Sequence, residues 1–181
     1  MSTAAADTRW NVDPTHTVVE FAVRHMMIST VKGVFKKFHG TIYGDPSDPA
    51  SLRLEGEVDA ASVDTGVEDR DNHLRSPDFF DVENHPTITY RSRQVRPLGD
   101  GEVEIIGDLT IRGITREVPL KARIEGPGKD PWGNQRIAIE ATARINREDF
   151  DLKWNAVLET GGVLVSKDVT INLHAEAVQQ A

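Results

Sequence analysis

Ionisable residues crowd most densely between Thr65 and Pro86, TGVEDRDNHLRSPDFFDVENHP, so acid–base chemistry has to be sought there first. Asp69 and Asp71 flank Arg70, and His73 follows two positions later. Carboxylates and an imidazole at this spacing could act as general acid and base. Arg70 and Arg75 offer a simpler reading, in which salt bridges hold Asp69 and Asp71 and the segment is structural. No motif strengthens the catalytic alternative: G-x-S-x-G, a P-loop, G-x-G-x-x-G and H-E-x-x-H are all missing.

Metal chemistry fares no better. His16, His25, His39, His73, His85 and His174 are scattered, without the spacing that puts two imidazoles on one side of a helix or strand. Asp71 with His73 could hold a cation only if another histidine came close. His25 reads as a hydrogen-bonded core histidine. The chain has no cysteine, which rules out thiol catalysis, thiolate ligands and a disulfide framework. The expectation is no catalytic residue, no metal and no cofactor.

Several elements must position this segment. Leu74, Phe79 and Phe80 form an apolar edge, so one or two short helices near 67–80 are expected to lie across the fold with that edge turned inward. Ser76-Pro77 supplies a turn or a fresh helix start. Everything else alternates with period two, the signature of strands buried on one face. Val19, Phe21, Val23, His25 and Met27 share one face of the first clear strand. Val31 to Tyr43 follows, with Phe35 and Phe38 on opposite phases, which predicts a bulge or sharp bend and leaves open which ring points inward. Leu52, Leu54, Gly56, Val58 and Ala60 make the next row, against outward Arg53, Glu55, Glu57 and Asp59.

Beyond Pro86 come Ile88 to Val95, then Val103, Ile105, Gly107 and Leu109, then a turn at Arg112-Gly113 and Val118 to Ile124. GPGKDPWGN reads as a long hairpin loop, Ile137 to Ile145 as another inward row, and Asn146 as the cap of a short turn. Residues 153–167 lack a pattern, with Gly161-Gly162 as a hinge, and Val169, Ile171, Leu173 and Ala175 close the series. About eight segments joined by short turns predict an all-β, eight-stranded antiparallel up-and-down barrel with a short helical insertion.

A barrel of this size either fills its interior or holds one small ligand. Gly56, Ala60, Gly107, Ala122, Ala141, Ala143 and Ala175 would leave volume unfilled. Phe21, Phe35 or Phe38, Phe79, Phe80 and the tryptophans could fill it. If hollow, the wall should carry Val19, Phe21, Val23, Leu54, Val58, Ile105, Leu109, Ile139 and Ile171, with Phe79 and Phe80 as a plug and Arg70, His73 or Arg75 as headgroup contacts.

The chain of 181 residues fits one domain over 10–178, with 1–9 as a flexible tail. Its net charge of −8 opposes nucleic acid and anionic lipid as whole-molecule partners. No apolar run reaches the ~18 residues of a transmembrane helix. The N-terminus has no basic stretch followed by an apolar core, which predicts a cytoplasmic protein unless a signal was already removed.

WNVDPTHTVVEFAVRHM, VKGVFKKFHGTI, RDNHLRSPDFFDVENHP, GDLTIRGITREVPL and INREDF occur in the order found in the YceI-like family, which the chain resembles from Trp10 to Phe150. RDNHLRSPDFF is the most specific block, followed by the strand carrying Asp13, His16, Phe21 and His25. Thr17 stands where the family usually has serine, and Asp151 where glycine is common. The resemblance implies a lipocalin-like barrel that binds, stores or carries a long-chain isoprenoid without catalysis. Isoprenoid quinones, polyprenyl phosphates and fatty-acid-like amphiphiles are the ligand classes it suggests, and a homodimer is frequent among relatives. A small hydrolase or isomerase using Asp71 and His73, or a ligand-free interaction module, are the rival readings.

Overall fold

A computed structural model describes residues 8–156, 158 and 162–181, so residues 1–7 of the expected 1–9 tail and the Gly161 half of the expected hinge lie outside the described residues. Among the described residues, eleven strands form one sheet. They are β1 (Arg9–Val12), β2 (Val18–His25), β3 (Ser29–Phe35), β4 (Phe38–Tyr43), β5 (Arg53–Asp59), β6 (Val63–Asp64), β7 (Thr87–Gly99), β8 (Glu102–Ile111), β9 (Ile114–Lys129), β10 (Gln135–Asn146) and β11 (Val165–Gln179), with helix α1 at Glu68–Arg75. Arg9, expected in the tail, opens β1.

Strand β1 closes the ring by pairing with β4 on one side and β11 on the other. Further along β11, β2 takes over as its partner; β3 then pairs β2, and β6 pairs β3. Each of β1/β2, β3/β4 and β5/β6 is therefore one stave broken in the middle, and the wall is a closed, eight-staved antiparallel barrel. The breaks have local causes. Asp13 caps the turn Pro14–His16 by accepting from the Thr15 N–H, and Asp59 caps Ala60–Ser62 through the Ala61 N–H. Between Phe35 and Phe38 the chain bends at Lys36-Lys37, which resolves the phase conflict of the two rings without a bulge.

Both departures from the family pattern are accommodated. Thr17 Oγ1 donates to the Asp13 carbonyl at 2.7 Å and accepts from the Glu176 N–H at 3.3 Å, bonds that need only a hydroxyl. Asp151 takes φ 61°, the left-handed region that glycine enters freely and aspartate better than most residues.

Two expectations are corrected here, and one stated alternative is resolved. Met27 is on no buried row: β2 ends at His25, and Met27 sits exposed in the turn to β3. Gly126–Lys129 is strand, not loop, because β9 continues pairing with β10 across a register shift between Arg136 and Ala138. Only one helix forms between β6 and β7, and Ser76 ends it as C-cap instead of starting a second.

Two buried clusters hold the interior. Trp10, Ile42, Leu52, Val95, Val103, Ile105, Ile137, Ile139 and Ala177 belong to one. Phe79, Leu109, Ile111, Val118, Ile145, Phe150 and Leu152 belong to the other, with Leu74, Phe80 and Trp154 against them. Tyr90 and Leu120 touch both.

Candidate functional site

Helix α1 is only eight residues long, too short to persist by itself in water. Its charges suit the helix dipole, with Glu68, Asp69 and Asp71 in the first turn and His73 and Arg75 in the last. Side-chain bonds fix it to the barrel. Asp71 is buried and accepts from both the backbone N–H (2.9 Å) and the hydroxyl (2.5 Å) of Thr65. Arg70 Nε donates to the same hydroxyl at 2.7 Å, and its Nη2 donates to the Thr65 carbonyl at 2.8 Å. Arg75 reaches back to the Ala61 and Val63 carbonyls at 2.8 and 3.0 Å.

These contacts replace the expected salt bridges. Asp71 is held by hydroxyl and amide donors, and Asp69 stands exposed. Asp71 and His73 also fail to converge. The His73 ring pairs with Asp78 at 2.9 Å and meets the Phe79 and Trp154 rings edge-on, with centroids 5.0 and 4.6 Å away. Among the described residues, no three His, Cys, Asp or Glu side chains come together in a metal-holding group.

Past the helix, the chain turns the two phenylalanines to different surroundings. Phe79 is buried in the second cluster beside Trp154. Phe80 is half-buried and sets its ring edge against Phe35, 5.7 Å between centroids. Arg112, from the β8–β9 turn, clamps this segment by donating to the Pro77 and Phe79 carbonyls at 2.5 and 2.6 Å. Sequence reading treated Arg112 only as a turn residue, although it lies inside the GDLTIRGITREVPL block.

Behind these side chains lies a cavity of about 410 Å³. Val19, Phe21, Val23, Leu54, Val58, Phe79, Phe80, Ile105, Leu109, Ile139 and Ile171 all border it. So do Phe35 and Phe38, which settles the ambiguity at the β3–β4 bend: both rings face in. Arg70 and His73 border it too. Arg75 does not, because its guanidinium is turned to the Ala61 and Val63 carbonyls.

The small residues divide. Gly56, Ala141 and Ala175 face the cavity. Gly107 is covered: a Cβ there would lie 2.6 Å from the Tyr90 ring, so Tyr90 occupies the space the glycine leaves. Ala60, Ala122 and Ala143 are buried and do not border this cavity. Of the tryptophans, Trp10 fills core, Trp154 borders the cavity and Trp132 is exposed.

Arg147 and Tyr90 are two buried or half-buried polar residues whose part sequence reading missed. Arg147 is buried at the cavity wall and donates to the carbonyls of Leu152, Trp154, Val165 and Ser166. Burial pulls its pKa down, and the nearby Glu148 carboxylate opposes that shift. It ties the patternless segment after β10 to the start of β11. Tyr90 donates to the Val118 carbonyl at 2.9 Å, and burial raises its pKa well above the usual phenol value. Every buried side-chain polar atom among the described residues has a partner, so the wall makes no unmet polar demand. Water in the cavity would find few bonds on offer. Its chemistry is the reception of an apolar body.

Comparison with known proteins agrees with this geometry. A UPF0312 protein of Staphylococcus epidermidis is 38% identical over 170 residues, 93% of this chain and 96% of that one, and one from Staphylococcus aureus matches equally. The solved Campylobacter jejuni YCEI protein superposes with TM-score 0.76 at 30% identity, covering 87% of this chain and 90% of its own. Burkholderia cenocepacia BcnA, at 24% identity, shares the fold with TM-score 0.81 over 91% of this chain and 98% of its own. A polyisoprenoid binding domain from Saccharophagus degradans, at 15% identity, has TM-score 0.73 over 94% of this chain and 98% of its own. The YceI-like domain model matches residues 10–177, and the chain belongs to the YceI-like family.

Proposed function

We propose that this protein binds a long-chain isoprenoid or a similar amphiphilic lipid in its barrel cavity and carries or stores it without catalysis. One observation bears most of the weight: a closed barrel holds about 410 Å³ bordered by Val, Leu, Ile and Phe side chains. That volume lies in the range of small-ligand sites. Each CH₂ group withdrawn from water contributes about 0.8 kcal/mol, so a few isoprene units supply a large driving force without directed polar contacts. Ordering a flexible chain offsets much of it, which caps the gain from length. The Saccharophagus degradans neighbour, described as polyisoprenoid binding, supports the same ligand class. Isoprenoid quinones, polyprenyl phosphates and fatty-acid-like lipids all satisfy these terms. Arg70 and His73 border the cavity beside Phe79 and Phe80, but their bonds to Thr65 and Asp78 make them architectural first and headgroup contacts second.

The non-catalytic part rests on where Asp71 and His73 go. Asp71 is committed to Thr65, and His73 to Asp78 and two aromatic rings. Mass spectrometry of the organic extract from purified protein tests the proposal. A stoichiometric isoprenoid or related lipid is the expected finding; a clean extract from protein that also refuses added lipid would contradict it.

A further inference from the structure

Met26, Met27 and Ile28, which join β2 to β3, form an apolar tip in solvent, with Met27 61% and Ile28 77% exposed. Met26 and Met27 have φ 53° and 63°, and the Ile28 N–H closes the turn on the His25 carbonyl at 3.3 Å. Two successive left-handed residues are the natural conformation of Asn-Gly, and methionine adopts it only under strain. A turn that merely reversed the chain would not need two methionines there.

The patch extends beyond the hairpin. Met26 N–H donates to the Leu164 carbonyl at 2.7 Å, and Met27 lies against Gly162, where an added Cβ would meet its sulfur at 2.6 Å. Val163 between them is also exposed. The cavity wall reaches Arg24, His25, Leu164 and Val165, the residues at the base of this tip.

Charge at the hairpin runs against the rest of the molecule. From Phe21 to Gly44 there is no acidic residue, while Arg24, Lys32, Lys36 and Lys37 are present in a chain of net charge −8. All four are exposed; Lys36 is ion-paired with Asp64 at 2.8 Å, and Arg24 and Lys32 flank the tip. Apolar side chains at the end of a cationic stem suit an anionic bilayer, where the tip enters the headgroup–acyl boundary and the cations face lipid phosphates. A second copy docked through the same tip would oppose Arg24 and Lys32 to their own equivalents.

We propose that the β2–β3 tip docks the protein on anionic membrane surfaces, so that lipid cargo passes between bilayer and cavity beside Met26, Met27 and Ile28. The docking stands on the hairpin itself; the transfer rests on the cavity holding a lipid. The test is flotation with phosphatidylcholine vesicles, with and without phosphatidylglycerol, comparing wild type with the triple variant Met26→Ser, Met27→Ser, Ile28→Ser and the charge-reversal variant Lys32→Glu, whose side chain stands off the cavity wall. Wild type should float with the phosphatidylglycerol vesicles, and each variant should lose at least roughly tenfold in partitioning. Both variants should keep the wild-type circular dichroism spectrum and take up a polyprenyl probe added from ethanol without vesicles. Wild type that ignores anionic vesicles, or a triple variant that floats equally well, would overturn the docking. So would a triple variant that turns a dimer into monomers while vesicle binding stays unchanged. Probe uptake without vesicles reports on the cavity alone, so its failure is seen separately.

Discussion

Arg70 and Asp71 are adjacent on α1 and oppositely charged, yet both bond to Thr65 and not to each other. The threonine hydroxyl accepts from Arg70 and donates to Asp71, so one side chain just after β6 holds the first half of the helix. Thr65→Val removes that relay and leaves Asp71 buried with fewer donors. The expected cost is about 1–3 kcal/mol, read as a lower urea midpoint. No turnover of esters, phosphates or prenyl diphosphates should depend on Asp71 or His73. A fall in kcat for Asp71→Asn or His73→Ala with folding intact would mean the segment is catalytic.

Phe79 and Phe80 should part company on truncation. Phe79 is buried among Trp154, Leu109 and Ile111, so Phe79→Ala is expected to cost about 3–5 kcal/mol. Phe80 is only half-buried and leans on Phe35, so Phe80→Ala should cost less stability and release a fluorescent polyprenyl probe faster. Stopped-flow release measured beside equilibrium unfolding separates the two effects. Equal, purely destabilising effects would remove the gating role from Phe80.

Two glycines make opposite predictions. A Cβ at Gly107 would press on the Tyr90 ring at 2.6 Å and on the Arg91 carbonyl at 2.7 Å, and the main chain cannot give way cheaply. Gly107→Ala should destabilise by about 1–3 kcal/mol. At Gly33 the obstacle is mainly the end of the Phe21 ring, 2.4 Å away, opposite it across the β2–β3 pair. Phe21 borders the cavity, so Gly33→Ala should push the ring into it and weaken probe binding more than it lowers the unfolding midpoint. Titration and unfolding of both variants check the contrast.

Acid should weaken the ties that Asp13 and Asp130 make to Arg136. Asp13 is held well below the usual carboxylate range by bonds from Thr15, Arg136 and His16. Asp130 is lowered to about 2, chiefly by Arg136. Both carboxylates are depressed on folding, so their contribution is fully present above the unfolded value near 3.8 and is lost as pH falls through the folded values. Arg136→Met should therefore flatten the stability-versus-pH curve below about pH 4 while lowering the plateau above it. Urea midpoints measured across that range show whether the slope changes.

The regular rows were legible because each had a wet side. Leu52 to Val58 alternates with charged neighbours. Val103 to Leu109 and Ile137 to Ile145 do so with charged or polar ones apart from Ile106 and Ala138, which is enough for period two to place them. Asp71 was read as salt-bridged instead. A carboxylate with Arg70 and Arg75 close in sequence looks ion-paired, and nothing local shows that Thr65, six residues earlier, folds back to receive it. Gly107 looked like empty volume because the ring filling it, Tyr90, comes from the neighbouring strand. Gly126–Lys129 looked like loop because glycine and proline usually end a strand, whereas here a register shift against β10 lets the ladder continue. Whether the barrel was hollow or filled depended on how Phe21, Phe35, Phe38 and Phe80 pack, which pattern alone leaves open.

The central claim is a hollow that holds lipid, and titration of a fluorescent polyprenyl probe into wild type and Ala141→Phe tests it most directly. Ala141 borders the cavity from β10, so a phenyl ring there takes up space the ligand would occupy. Wild type should bind saturably at about one probe per chain, and Ala141→Phe at least roughly tenfold more weakly with its urea midpoint unchanged or raised, since filling a void need not destabilise. Equal saturable binding by both proteins would contradict the account, as would wild type that binds no probe and yields no lipid on extraction.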